Sequence, residues 1–249
     1  MTGIDPGEIE LIRPNWPAPP RVHAATTTRR GGVSQGSWAS LNLANHVQDD
    51  PAAVAENRRR LRQDLQLPVE PLWLTQVHGA VIADSDNMPG CEADGSYSAD
   101  AGVVCAVLTA DCLPVLLCDG AGREVAVVHA GWRGLVSGVL EAALARFSAP
   151  ADEIMAWLGP AIGPEAFEVG EEVRAAFLAV DPAVEAAFRP SRPGHWLADL
   201  YALARQRLAR QGVMDVYGGG LCTYNDAERF YSYRREPVTG RMASLIWLD

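Results

Sequence analysis

The sequence predicts a single domain of mixed strands and helices, and three observations carry that expectation. Residues 103–108, 113–118 and 125–130 are short, apolar, β-branched runs, each with the length and composition of a strand buried on both faces. Segments with helical spacing of apolar residues are interspersed with shorter strand-like runs over the rest of the chain. No internal repeat, low-complexity tract or linker divides the 249 residues, a length sufficient for one sizeable core.

In chain order, residues 9–13 and 22–28 read as strands around a proline-rich turn at 14–20. The second strand runs into Thr28-Arg29-Arg30-Gly31-Gly32, a glycine turn that can bring backbone N–H groups and Arg29 towards an anion. Asp50 caps a helix that begins at Pro51, and Val54, Leu61 and Leu65 give it one apolar stripe ending before Pro68. Residues 72–75 form a short strand that delivers Gln76-Val77-His78-Gly79, where the glycine implies a turn exposing the imidazole. A strand at 81–83 follows, and 84–100, rich in Gly, Ser, Asp and Asn, reads as a mobile loop. Beyond the central runs, Val136, Val139, Leu140, Ala143 and Phe147 mark a helix over 135–147 whose positive N-terminal end lies close to His129. A strand at 154–158 ends in Gly159-Pro160-Ala161-Ile162-Gly163-Pro164, backbone suited to a pocket wall. Residues 168–170 lead into an amphipathic helix through Phe177. A loop at 181–195, a helix at 197–211 and strands at 213–217 and 244–248 complete the chain.

Composition narrows the chemistry. All 21 basic residues are arginine and the net charge is −10. Without lysine there is no Schiff base, no pyridoxal-phosphate chemistry and no Walker A loop. The acidic balance weighs against a nucleic-acid partner, whereas individual arginines can grip a small anion bidentately. No stretch has the length and hydropathy of a membrane span. Five cysteines without regular spacing fit a reducing compartment, and the N-terminal residues carry acidic groups where a secretory signal has a basic segment and an apolar core; a cytoplasmic protein is expected.

Polar residues interrupt the central runs at few places: Thr109, Asp111 and Cys112 at one junction, and His129 at the end of the third run. A core cysteine and a core histidine are the plain reading of each alone. Together with His78, however, Cys112 and His129 make the ligand set of a catalytic zinc that keeps one position open. A metal-free dyad, with Cys112 as nucleophile and His129 as base, accounts for the same residues.

The chain resembles the YfiH family, formerly labelled polyphenol oxidases or laccase-domain proteins. The resemblance is carried by TRRGGVS at 28–34, SLNL at 40–43, TQVHG at 75–79, TADCLPVLL at 109–117, HAGWRG at 129–134, LGPAIGP at 158–164, FEVG at 167–170 and SYRREPVTGRMASLIWL at 232–248. It implies an α+β fold, one YfiH-like catalytic domain over 1–249 with mixed sheets covered by helices and a distant similarity to cytotoxic necrotizing factor, a Cys–His deamidase. It also implies a zinc ion on His78, Cys112 and His129 and purine nucleoside phosphorylase activity, with adenosine deamination as a side activity and a peptidoglycan-editing role in some bacteria. Two departures from the family pattern, Glu165 in place of a common cysteine and Gly95-Ser96-Tyr97 after Asp94, touch none of these ligands. The copper-oxidase label fits poorly, because five histidines are too few for a blue-copper site and about three further coppers.

For phosphorolysis, Arg29 and Arg133 are the first candidates to hold phosphate or ribose hydroxyls, and Arg234 and Arg235 come second. Asp111 is a candidate proton carrier, and Asn42 and Gln76 are candidates to hydrogen-bond sugar or base. The expected partners are a nucleoside and phosphate, bound by a monomer. The rivals are an amidase that removes wrongly inserted amino acids from cell-wall precursors and a non-enzymatic module stabilised by zinc.

Overall fold

The computed structural model describes residues 7–84 and 91–249. Its strands are β1 (Leu11–Ile12), β2 (Val22–Thr27), β3 (Ile82–Ala83), β4 (Gly95–Ser98), β5 (Val104–Thr109), β6 (Leu113–Asp119), β7 (Val125–Ala130), β8 (Ile154–Leu158), β9 (Glu168–Gly170), β10 (Phe188–Pro190), β11 (His195–Ala198), β12 (Asp215–Gly218) and β13 (Met242–Leu248). The helices are α1 (Pro51–Asp64), α2 (Trp132–Val136), α3 (Val139–Leu144), α4 (Glu171–Val180) and α5 (Leu200–Arg210). The class is α+β, as expected.

The three central runs become β5, β6 and β7, buried along their whole length. They are apolar on both faces because two sheets stack and each outer face is covered by helices. β6 and β7 lie inside a six-stranded sheet ordered β12-β8-β6-β7-β4-β3, whereas β5 belongs to a four-stranded sheet ordered β1-β2-β13-β5. Leu116 and Cys118 of β6 meet Cys105, Val107 and Ile246 of the other sheet. The alternate residues Leu113, Val115 and Leu117 pack with Leu135, Leu140 and Leu203 from the helices. On the far side, Val104, Ala106 and Leu108 pack with Leu61 and Leu65 at α1. The pairing of β6 with both neighbours is antiparallel, so continuous apolar runs arise here from a layered sandwich and not from a parallel sheet.

Several elements differ from expectation. Residues 72–75 form no strand, only isolated bridges from Leu72 to Cys105 and from Thr75 to Glu92. The expected loop at 84–100 includes residues 85–90, outside the described part, but its distal end folds as β4 against β7. The helix over 135–147 is two short helices broken at Gly138, whose φ of 86° suits glycine. The expected loop at 181–195 holds a 3₁₀ turn and β10, which with β11 and β9 forms a small third sheet. The helix expected from residue 197 starts instead at Leu200, capped by the Asp199 side chain. Among the described residues no helix is long and apolar enough to cross a membrane.

The site follows from this layering. The connection from β5 to β6 passes from one sheet to the other within Ala110, Asp111 and Cys112, so the sandwich opens there. Leu116→Ala, at a fully buried position between the sheets, is expected to cost about 2–5 kcal/mol by chemical denaturation, with metal stoichiometry of the folded protein unchanged.

Candidate functional site

His78, Cys112 and His129 come together, with their ligand atoms all within 4.8 Å of one another. The imidazole rings stand edge to face at 4.8 Å. Cys112 sits just before β6, after Asp111 has turned the chain with a φ of 95°. His129 lies on β7 opposite Pro114 of β6. Gly131 allows the close approach, since a Cβ there would stand 3.0 Å from Cys112 Sγ and 3.3 Å from His78 Cδ2. The His78 imidazole is exposed, as the following glycine suggested, although the left-handed residue is His78 itself, with a φ of 61°.

A buried carboxylate organises the cluster. Asp94 Oδ1 accepts hydrogen bonds from His129 Nδ1 at 2.8 Å and from the His78 peptide N–H at 2.9 Å. Its Oδ2 accepts from the peptide N–H groups of Gly79 at 2.6 Å and Val77 at 3.2 Å. These bonds hold the unfavourable turn at His78 and turn His129 Nε2 into the trio, towards Cys112. Burial pushes the Asp94 carboxyl up, but the His129 hydrogen bond and the peptide N–H groups outweigh it and hold it below the usual range. Burial likewise opposes ionisation of Cys112, yet the charge of His129 and hydrogen bonds from both histidines bring the thiol down to about 6. A thiolate and two imidazoles suit a borderline divalent metal such as zinc.

The trio opens into a cavity of about 330 Å³. Gln76, Asp111 and Arg133, expected at the site, line it. The Gln76 amide is committed to the Leu108 peptide, donating to its carbonyl and accepting from its N–H, both at 2.8 Å. Asp111 Oδ1 accepts from the Thr223 hydroxyl and Oδ2 from the Arg234 peptide N–H, both at 2.7 Å, so this carboxylate ties two loops to the cavity. Arg133 is exposed and its guanidinium stacks on Trp132, 4.5 Å from the ring centroid. Arg234 also lines the cavity, with one nitrogen donating to the Glu168 carbonyl at 2.7 Å.

Arg29, Asn42 and Arg235 are not among the lining residues. Arg29 donates to the carbonyls of Ala39 and Ala227 and stacks over Tyr231. Asn42 is buried, bonded to Ala44, Asp49 and the Arg241 peptide N–H. Arg235 donates to the carbonyls of Thr223, Tyr224 and Phe230. Glycine turns and neighbouring motifs drew attention to these side chains, but the fold uses their polar groups to fasten loops. Sequence reasoning missed Asp94, His46 and Arg241. Asp94 is hidden in a polar segment that reads as loop; His46 lies three residues beyond the SLNL motif and Arg241 inside the last motif, and only the fold turns them to the cavity.

The family model described as multi-copper polyphenol oxidoreductase laccase matches residues 23–249. A purine nucleoside phosphorylase of Pseudomonas aeruginosa is 56% identical over 239 residues, covering 96% of this chain and 98% of that protein. The purine nucleoside phosphorylase YfiH of Escherichia coli is 55% identical over 241 residues, covering 96% and 99%. The chain belongs to the YfiH family. A crystal structure of a Neisseria meningitidis protein superposes with a TM-score of 0.93 at 50% identity, covering 96% of this chain and 99% of that one. The oxidase wording of the family description finds no counterpart in the geometry, because the described residues, which include all five histidines, group only His78, Cys112 and His129 as a three-ligand set.

Asp94→Asn is expected to weaken metal binding about 10–100-fold, measured by competition with a chromogenic chelator, by freeing His129 and the His78 turn. In chelator-treated protein, iodoacetamide alkylation of Cys112, followed by peptide mass spectrometry, should keep its thiolate rate down to about pH 6, where the lowered pKa places half-ionisation. An ordinary thiol would lose that rate below about pH 8.5. Metal should protect Cys112 at neutral and alkaline pH, where its ligands are deprotonated.

Proposed function

We propose that this chain is a zinc-dependent purine nucleoside phosphorylase, converting adenosine, inosine or methylthioadenosine and phosphate into free base and the pentose 1-phosphate. The observation that carries this reading is the cavity itself, where a ligand trio with an open side faces arginines and the aromatic ring of Trp132. Relatives of more than half identity, matched over nearly their whole length, bear that activity in their names.

Zinc on His78, Cys112 and His129 would supply a Lewis acid able to polarise a substrate oxygen or activate water. The residues do the rest. In phosphorolysis a phosphate oxygen bonds to the anomeric carbon as the carbon–nitrogen bond breaks, and the purine leaves with the electron pair and takes a proton. Trp132 offers a face for a base, and Arg133, stacked on it, presents donors to ribose hydroxyls or phosphate. Gln76 keeps the wall at Leu108 in place. Asp111 is the nearby carboxyl for proton transfer, which would draw on an oxygen now shared with Thr223 or the Arg234 peptide. Because a zinc held by these three residues would supply the means to activate water, adenosine deamination is the side reaction this site would support.

The decisive assay is release of free base from inosine and adenosine by the metal-loaded protein, with and without phosphate. Phosphate-dependent release is expected, falling at least about 1,000-fold in Cys112→Ala. Inosine formed from adenosine as the main product without phosphate would assign the site to deamination instead. Arg133→Ala should lower kcat/KM about tenfold or more, and an unchanged value would remove Arg133 from the site.

A further inference from the structure

We infer that Arg241 and His46 form the seat for an inorganic oxyanion, which in the proposed reaction is the phosphate co-substrate. The inference rests on the phosphorylase reading for the identity of the anion, and on the following geometry for its place.

Arg241 directly precedes β13, whose first residue, Met242, pairs with Thr109 at the end of β5. Three residues after Thr109 comes Cys112, so two adjacent strand ends deliver the guanidinium and the thiolate to the same cavity. The Arg241 side chain is partly buried, and among the described residues it has no carboxylate within ion-pair range. Its Nη1 donates to the carbonyls of Thr239 and Gly240, at 3.0 and 2.9 Å. The Nε and Nη2 donors make no hydrogen bond to the described residues, so half of the fork remains for a ligand in the cavity.

The Cys112 thiolate and the Asp111 carboxylate act on this cation from beyond ion-pair range and the Tyr233 ring lies 5.9 Å from it, but none of them hydrogen-bonds its Nε or Nη2, so a partly desolvated guanidinium keeps unmatched donors at the cavity wall. The backbone here is also fixed in advance. Asn42 Oδ1 accepts the Arg241 peptide N–H at 3.0 Å, and the Arg241 carbonyl accepts from the Leu43 N–H at 3.4 Å. This clamp joins Arg241 to the segment bearing His46, whose imidazole lines the same cavity with no hydrogen bond to the described residues. Burial, and then the charges of Arg241 and Arg58, lower the His46 pKa and favour the neutral ring, which has one donor and one acceptor beside the guanidinium.

The chemistry selects the occupant. A nucleoside is neutral and needs no desolvated cation, whereas phosphate brings a counter-charge into direct contact and matches a planar fork. Arg133 fits the other substrate better, being exposed and stacked on Trp132. Arg234 already spends one nitrogen on a carbonyl.

The test combines kinetics with direct binding on metal-loaded protein. Arg241→Gln is expected to raise the KM for phosphate at least about tenfold while the KM for inosine stays within about twofold. His46→Gln should give a smaller rise, and Arg241→Lys should recover part of the affinity. Titration with inorganic phosphate should shift the His46 imidazole NMR signals in wild type but not in Arg241→Gln. An unchanged phosphate KM in folded Arg241→Gln, or a His46 shift that survives in it, overturns the seat while leaving the phosphorylase reading intact. If Arg241→Gln fails to fold, an unchanged phosphate KM in His46→Gln overturns the seat. Wild type that binds phosphate through Arg241 but releases no base keeps the seat and removes the phosphorylase reading.

Discussion

The carboxylate of Asp94 is the constraint on which the site depends. It is fully buried, and its two oxygens accept four hydrogen bonds, three from consecutive peptide N–H groups and one from the His129 ring. One group therefore sets the turn that presents His78 and the orientation that points His129 Nε2 into the trio. The negative charge is tolerated in the interior because every donor around it favours the ionised form. Its main chain is equally engaged, donating to Val81 and accepting from His129, which locks the His78 turn to the edge of the six-stranded sheet.

The stacked sheets explain why a reactive cysteine can be held still at the end of a buried strand. β5 and β6 are consecutive in the chain but belong to different sheets, so their connection must cross the sandwich, and the crossing cannot be covered by the same layers that bury the strands. Cys112 lies in that crossing, while Cys105 and Cys118, inside the sandwich, are driven by burial to about 12 and stay protonated. Similar thiols thus acquire opposite characters from position alone.

The cavity has an uneven division of labour among its arginines. Arg133 rests on an aromatic face at the surface, Arg234 is half spent on a carbonyl, and Arg241 is drawn inward without a carboxylate partner. Asp111, which from its place in the sequence invites a catalytic role, also serves as a staple between the Cys112 loop and the segments at Thr223 and Arg234. The closing strand takes part as well, since β13 completes the four-stranded sheet and carries Arg241 at its entrance.

The strands at the centre were legible because burial on both faces leaves a continuous apolar run that no helix stripe or solvent-facing strand would show. Cys112 and His129 were legible because they are polar or reactive residues where such runs end, His78 because a glycine follows it, and family resemblance supplied their common purpose. Partners separated by long stretches of chain were not legible. β4 was hidden because its small and polar residues are buried by β7 and not by their own hydropathy. Arg29 and Asn42 looked available because their motifs are polar, and only the folded chain supplies the carbonyls and peptide groups that occupy them. The sequence by itself determined which residues could bind a metal and which segments had to be buried, since both are properties of side chains and their local period. Tertiary structure alone decided that Asp94 orients His129 across 35 positions and that Arg241 faces the cavity with no carboxylate in ion-pair range, because charge pairing and desolvation depend on distance in space.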